Sequence, residues 1–353
     1  MYLKIANQLI QKIDNEIYRF LPTHINKDFI SLITNDKTLF FPLSSMEQIQ
    51  EPARELLLTG GKRWRPLLTI IAALICSKKD FSDEDKITLG AKVGAIVELA
   101  HNGSLIIDDI EDSAKVRRSY PCAHIRFGTD LAINGGNYLY FLPSLAIDEL
   151  PLPQDKLISI YKTYSRQMRC MHLGQGLDIL WHKEKNFFPT LQEYSTMCHL
   201  KTGALSQMAI ELGAIIGNAT EEQQKILIDI AKNVGLAFQI IDDITNLEVG
   251  NPGKERGDDL IEGKKSLPLV IFANNNDPNK LISLMKTIQS NGLQNAKTEV
   301  DSLVSLLVDS GAMSSAKEIA TSSLTKAITL IEENFIPSQP RDMLIWLIRN
   351  FQK

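Results

Sequence analysis

Apolar residues recur at helical spacing through most of this chain, as in Lys86 to Leu105, Leu157 to Leu177, Gln192 to Ile216, Glu221 to Ile241 and Ala316 to Ile331. Strict apolar–polar alternation is hard to find, so the pattern predicts a chain built almost wholly of helices. Turn chemistry places breaks at Pro52, at Leu150-Pro151-Leu152-Pro153, at Asn186 to Pro189, at Asn218 to Thr220, at Gly250 to Gly253 and at Asn274 to Pro278. None is long enough to be a linker, and no period of 20–50 residues repeats, which argues against a solenoid. The longest strongly apolar run, Leu67 to Cys76, falls far below the roughly 20 residues a bilayer span needs and predicts a buried helix segment. One internal echo stands out. An apolar helix ends in Asp108-Asp109-Ile110-Glu111-Asp112, and a later one ends in Asp242-Asp243-Ile244-Thr245-Asn246.

Composition changes this picture little. The chain has 353 residues, 44% hydrophobic and 23% charged, which suits a globular protein of one large domain or two. A net charge of -4 with scattered basic residues gives no footprint for nucleic acid, so an anionic ligand must be met locally. Cys76, Cys122, Cys170 and Cys198 form no C-x-x-C pair, arguing against a zinc site or a disulfide framework and for reduced thiols in a cytoplasmic protein. No basic and apolar leader opens the chain.

The acidic echoes carry the candidate chemistry. On a helix Asp108 and Asp112 stand one turn apart on one face, with Asp109 beside them, so like charges crowd together. Hard oxygen ligands at that spacing suit Mg²⁺, which keeps several waters and bridges one or two carboxylates to phosphates; a solvated acidic helix end is the alternative. Asp242 and Asp243 repeat the arrangement, with Asn246 offering an uncharged oxygen. A diphosphate also needs cations. Gly60-Gly61-Lys62-Arg63-Trp64-Arg65-Pro66 supplies three on a glycine-loosened approach to a helix, and Arg117-Arg118, Lys201-Thr202, Lys254, Lys264 and Lys265 follow. Taken singly, the Gly-Lys-Arg stretch and the arginine pair are more often solvated turns. His101 lies two helical turns before Asp108 on about the same face, as a site residue or as a hydrogen-bonded helix histidine.

Together these residues resemble the trans-isoprenyl diphosphate synthase family. Gly61-Lys62-x-x-Arg65-Pro66, His101 ahead of Asp108-Asp109-x-x-Asp112, Arg117-Arg118, Lys201-Thr202, Phe238-Gln239-x-x-Asp242-Asp243, and Gly253-Lys254 with Gly263-Lys264 occur in that family's order and at its approximate spacings. The segments Asn102 to Asp112, Ile133 to Phe141 and Gly174 to Ile179, and the D-D-x-x-N form of the second cluster, are similar to geranylgeranyl diphosphate synthases of eukaryotic type. Ser119-Tyr120, where relatives usually carry glycine, is a departure that bears on local loop geometry. The resemblance covers 46–353 and leaves 1–45 as a segment of unclear role.

The resemblance implies a single all-α domain over 1–353: a large helical bundle, the isoprenoid synthase fold, around an apolar cavity with the two Asp-rich motifs facing each other at its mouth. It implies a homodimer and three Mg²⁺ ions, held by Asp108, Asp109, Asp112 and Asp242 with Asp243 and Asn246 in support. Arg117, Lys201, Lys254 and Lys264 would grip the allylic diphosphate, with Thr202 and Gln239 near the reacting carbons. Lys62, Arg65, His101 and Arg118 would bind isopentenyl diphosphate. The implied reaction is ionisation of the allylic diphosphate, attack by the isopentenyl double bond and proton loss to released pyrophosphate. Gly103 and Ser104, about 5 Å deeper along the helix than Asp108, are small and would let the product grow past C15. Tyr140 and Phe141 are expected to floor the cavity at C20, or else to be ordinary core. A class I terpene cyclase and a non-catalytic partner subunit are the competing readings. The second set of cations argues against the first, and the retained aspartates and lysines against the second.

Overall fold

The computed structural model describes residues 1–250 and 255–352, so Lys254 lies outside the described residues. The helices are α1 (Tyr2–Phe20), α2 (Lys27–Thr34), α3 (Leu43–Leu58), α4 (Trp64–Ser77), α5 (Glu84–Glu111), α6 (Ala123–Phe127), α7 (Thr129–Asp148), α8 (Gln154–Lys183), α9 (Leu191–Cys198), α10 (Ala204–Ile216), α11 (Glu221–Glu248), α12 (Asp258–Glu262), α13 (Leu267–Asn275), α14 (Asn279–Asn291), α15 (Lys297–Asp309), α16 (Ala312–Asn334) and α17 (Gln339–Arg349). Between α5 and α6 a small antiparallel hairpin pairs β1 (Val116–Arg117) with β2 (Tyr120–Pro121). Local chemistry starts several helices. The Asn26 side chain accepts the Phe29 N–H at 2.9 Å, Asp83 accepts that of Lys86 ahead of an acidic first turn, and Thr190 with Glu193 forms a reciprocal capping box.

The chain packs as two compact units. In the first, comprising 1–164, 208–221 and 338–343, α1, α4 and α7 pack along α5. Helix α4 is buried from Trp64 through Cys76, as a helix apolar on every side must be. Missing side chains set the spacing here. A methyl group on Gly94 would lie 2.9 Å from the Pro66 Cβ, and one on Gly103 would lie 2.9 Å from the Gly136 carbonyl oxygen. Helix α1 buries Ala6, Leu9, Ile13, Ile17 and Phe20 at spacings of three and four, so it adds to the core although it precedes the first recognisable motif. Each of its larger side chains contributes about 1.5–3 kcal/mol by leaving water.

The second unit comprises 165–207, 222–337 and 344–353. Helix α11 buries Leu227, Ile230, Ala231, Val234, Gly235, Ala237, Ile240, Ile244 and Leu247, the stripe its sequence predicts. Helix α13 packs on α9 and α16, and the Phe351 ring meets Phe238 edge-on at 5.5 Å.

Two local expectations differ from the structure. Pro52 does not break the chain but lies inside α3, buried beside Gly135 of α7, so its missing hydrogen bond is outweighed by packing. The periodic run Gln192 to Ile216 is not one helix: His199–Gly203 forms a π-helical turn between α9 and α10, at the Lys201-Thr202 motif. Such turns insert an extra residue and recur at functional sites.

The Gly94 contact leaves no room for growth. Gly94→Ala is expected to destabilise the protein by about 1–3 kcal/mol, seen as a lower denaturation midpoint in urea.

Candidate active site

Helix α5 delivers its carboxylates at its C-terminal end, where backbone carbonyls already concentrate negative charge and no basic residue sits in the last turn. Asp108 and Asp112 are half-buried, whereas Asp109 is only 2% exposed. Adjacent helical residues point about 100° apart. Asp109 therefore turns into the protein, where it accepts Arg117 Nε at 2.9 Å and Nη2 at 2.5 Å, and Cys122 also donates to it. Arg117 Nη2 reaches Asp108 at 3.4 Å. Burial opposes the guanidinium charge, but Asp109 and Asp108 outweigh it and hold Arg117 above its ordinary range. Asp109, expected to bind metal, anchors Arg117 through Oδ1 in this structure, and Cys122 is a contributor the sequence did not flag.

The hairpin explains how two neighbouring arginines serve different places. Its central residues Arg118 and Ser119 both have positive φ, 52° and 68°, as a two-residue hairpin of the type I′ kind requires. Ser119 thus adopts the conformation that glycine reaches without penalty. Arg117, on β1, points to the acidic helix end. Arg118 points the other way and donates to the Leu56 carbonyl at 2.9 Å and to the Gly60 carbonyl.

That second direction leads to the basic loop. Lys62 is exposed, while Arg65 is buried, stacks on the Trp64 ring with its guanidinium carbon 4.4 Å from the centroid, and donates to His101 Nε2 at 3.3 Å. Burial lowers Arg65 only to about 10, leaving it charged at neutral pH. Burial and the charges of Arg65, Arg118, Arg117 and Arg63 push His101 well below its usual value. Arg65 can only donate, so the neutral ring accepts at Nε2 and carries its proton on Nδ1.

In the second unit, α11 ends as α5 does, with no basic residue in its last turn. Asp242 is exposed. Asp243, 5% exposed, accepts the Tyr194 hydroxyl at 2.6 Å, the Leu267 N–H at 2.7 Å and Gln239 Nε2 at 2.9 Å. Burial raises Asp243 to about 7 against those three donors. Asn246 is fully buried and neither end of its amide has a hydrogen-bond partner, so it too faces the interior. Of the two residues expected to support metal, Asp243 is engaged by three donors and Asn246 is a buried amide without a hydrogen-bond partner.

The π-turn lies between two helices that approach through glycines. A methyl group on Gly174 would intrude on the Lys201 backbone, and one on Gly235 would lie 2.8 Å from the Gly203 Cα. Held there, Thr202 Oγ1 donates to Gln239 Oε1 at 2.5 Å, and Gln239 passes the chain on to Asp243. Lys201 Nζ pairs with Asp178 Oδ2 at 2.5 Å, and His182 Nε2 meets Asp178 Oδ1 at 2.9 Å. Burial opposes ionisation of Asp178, but Lys201 and His182 outweigh it and hold the carboxyl far below its usual range. Asp178 falls within the Gly174 to Ile179 segment but has no expected role from the sequence; its place one helical turn after Gly174 is the signal that points to it. Lys264 pairs with Asp259 at 3.3 Å and with Glu262.

The chain-length positions divide. Gly103 faces the α7 backbone rather than open space, and a methyl group there would also lie 3.1 Å from Tyr140 Cδ1. Its small size sets helix spacing, which corrects the expectation that it widens a cavity. Ser104 is half-buried one turn before Asp108. Tyr140 lies along α5, and burial with Glu111 and Asp108 raises its hydroxyl. Phe141 is 75% exposed, so it floors nothing within this chain.

Among the described residues, no three His, Cys, Asp or Glu side chains form a ready-made metal centre. The donors still fit a hard divalent ion that keeps waters and binds one or two carboxylates together with substrate phosphates: Asp108 with Asp112, and Asp242, all oxygen ligands at negative helix ends.

Comparison with known proteins agrees with this chemistry. The sequence profile of the polyprenyl synthetase family matches residues 46–307. A short chain isoprenyl diphosphate synthase of Methanocaldococcus jannaschii is 32% identical over 294 residues, 82% of this chain and 79% of that protein. A geranylgeranyl pyrophosphate synthase of Gibberella zeae is 37% identical over 206 residues, 58% of this chain and 52% of that protein. The crystal structure of geranylgeranyl pyrophosphate synthetase from Pyrococcus horikoshii Ot3 matches with a TM-score of 0.82 at 27% identity, covering 99% of this chain and 97% of that one. The chain has the isoprenoid synthase fold and belongs to the polyprenyl synthetase family of trans-prenyl diphosphate synthases, enzymes that use divalent metal to bind diphosphates. Among the described residues no helix is long and apolar enough to cross a membrane.

Lys265, beside Lys264, is 3% exposed with its ammonium 4.9 Å from the Phe188 ring centroid, and burial lowers it to about 8 against the pull of Glu184. The unfolded chain therefore binds more protons between pH 8 and 10.5, so this destabilisation is full below pH 8 and fades as pH rises. Lys265→Met is expected to stabilise by on the order of 2 kcal/mol at pH 7 and by progressively less towards pH 10, measured by denaturant unfolding across pH.

Proposed function

We propose that this enzyme condenses isopentenyl diphosphate with dimethylallyl, geranyl or farnesyl diphosphate to make geranylgeranyl diphosphate, releasing pyrophosphate. The observation that carries the reading is the same device on two helices: α5 and α11 each end, at a negative helix end, in an aspartate pair whose second member is buried and hydrogen-bonded while the first is more exposed. Magnesium, as three ions held by Asp108, Asp112 and Asp242, would supply Lewis-acid stabilisation of the departing diphosphate. Lys201, oriented by Asp178, would bind the same oxygens with Arg117, Lys264 and Lys254. The allylic C–O bond breaks, the isopentenyl double bond attacks the allylic carbon, and pyrophosphate takes the proton whose loss restores an alkene. Thr202 and Gln239, tied to each other and to Asp243, would flank the reacting carbons.

Lys62, Arg65, His101 and Arg118 would bind isopentenyl diphosphate. A neutral His101 and a charged Arg65 suit an anion that must be gripped without surrendering a proton to the ring. Ser104, small and one turn before Asp108, would leave room for growth past C15, and Tyr140 rather than Phe141 is the candidate stop at C20. We read the protein as a cytoplasmic homodimer. Supporting this are four cysteines outside any disulfide and the exposed apolar residues Leu131, Ile133 and Phe141 on α7.

Incubation with Mg²⁺, isopentenyl diphosphate and each allylic primer in turn is expected to yield a C20 diphosphate on chromatography. Hydrocarbons or alcohols made without isopentenyl consumption would instead identify a cyclase. Asp242→Ala should lower kcat/KM by about 100-fold or more, as loss of a ligand on the leaving diphosphate demands. Tyr140→Ala is expected to move products beyond C20, and an unchanged distribution would remove Tyr140 from the floor.

A further inference from the structure

The loop that presents Lys62 is strained. Gly60, Gly61 and Arg63 all have positive φ, 84°, 150° and 47°, and Arg63 is no glycine. Left-handed backbone disfavours a side chain, so the surrounding contacts must hold it. They converge on the Arg63 guanidinium. It donates to the Leu57 carbonyl at 2.7 Å and the Gly60 carbonyl at 3.2 Å, to Glu98 Oε1 at 2.8 Å, and through Nε to Asp14 Oδ1 at 2.9 Å. The Arg63 side chain is 1% exposed, and although burial opposes its charge, Glu98 and Asp14 outweigh the penalty.

The two carboxylates come from opposite directions. Glu98 belongs to α5, one turn before His101, and also accepts Asn102 Nδ2 at 2.9 Å. Asp14 belongs to α1, outside the matched region of the family. Arg63 therefore ties the loop to α5 on one side and to the N-terminal helix on the other, with Lys62 and Arg65 flanking it in sequence.

We propose that Asp14 is a positioning residue for the isopentenyl diphosphate subsite: acting through Arg63, it fixes the loop that presents Lys62 and the start of α4 that carries Arg65. The N-terminal helix thereby sets affinity for one of the two substrates. This rests on the reading of Lys62, Arg65, His101 and Arg118 as that subsite.

Steady-state kinetics of the full chain, varying one substrate at saturation of the other, tests it. Asp14→Ala is expected to raise KM for isopentenyl diphosphate about tenfold while KM for the allylic diphosphate and kcat change less than about twofold, since small misplacements weaken binding steeply. Asp14→Asn keeps the acceptor and removes the charge; it guards against loss of folding and should show the same split at smaller size, with a circular dichroism melt close to that of the parent. Equal effects of both variants on the two KM values, or no effect, would overturn the proposal. Lys62→Ala separates the two levels: a raised isopentenyl KM there with none in the Asp14 variants keeps the subsite and rejects Asp14, whereas an unchanged KM in Lys62→Ala rejects the subsite itself.

Discussion

Crowded carboxylates at the negative end of a long helix are the constraint on which the acidic cluster of each unit is built. Like charges one residue apart, added to the helix dipole, repel unless each is answered. The protein answers them unequally. In Asp108-Asp109 and in Asp242-Asp243 the second aspartate is buried and hydrogen-bonded, by Arg117 and Cys122 in one case and by Tyr194, Gln239 and the Leu267 N–H in the other. The first is less buried: Asp108 is half-buried and shares Arg117, and Asp242 is exposed. Anchoring the second by several hydrogen bonds fixes the helix rotation, and that rotation sets the direction of the first.

The cations follow a matching rule. Arg117, Lys201 and Lys264 are each held by carboxylates, Asp109, Asp178 and Asp259 with Glu262, so their positions do not depend on a ligand being bound. An ordered cation loses less side-chain entropy when an anion arrives, and its charge survives burial because its partner remains. The basic loop is organised similarly, since Arg63 supplies internal hydrogen bonds while Lys62 stays exposed. Within one short segment, therefore, one cation is structural and its neighbour is available.

Glycines make these arrangements possible at two scales. Gly94 and Gly103 let α4 and α7 close on α5, and Gly174 and Gly235 let α8 and α11 close on the π-turn. The extra residue of that turn brings Lys201 and Thr202 to Asp178 and Gln239, an arrangement an uninterrupted helix over Gln192 to Ile216 would not produce.

Much was legible in the sequence because it depends on local spacing. Helical periodicity identified α5, α8, α11 and α16, and i, i+4 spacing put Asp108 and Asp112 on one face. The ordered motifs pointed to the family. What spacing leaves open is which side of a helix faces the interior, because a shared period is compatible with any rotation about the axis. Packing decided that Asp109, Asp243 and Asn246 turn inward, that Gly103 meets a backbone instead of a cavity, and that Phe141 is exposed. It also joined Asp14 to Arg63 across 49 residues of sequence, a contact with no local signature, because its energy comes from burying a guanidinium that only the assembled helices surround.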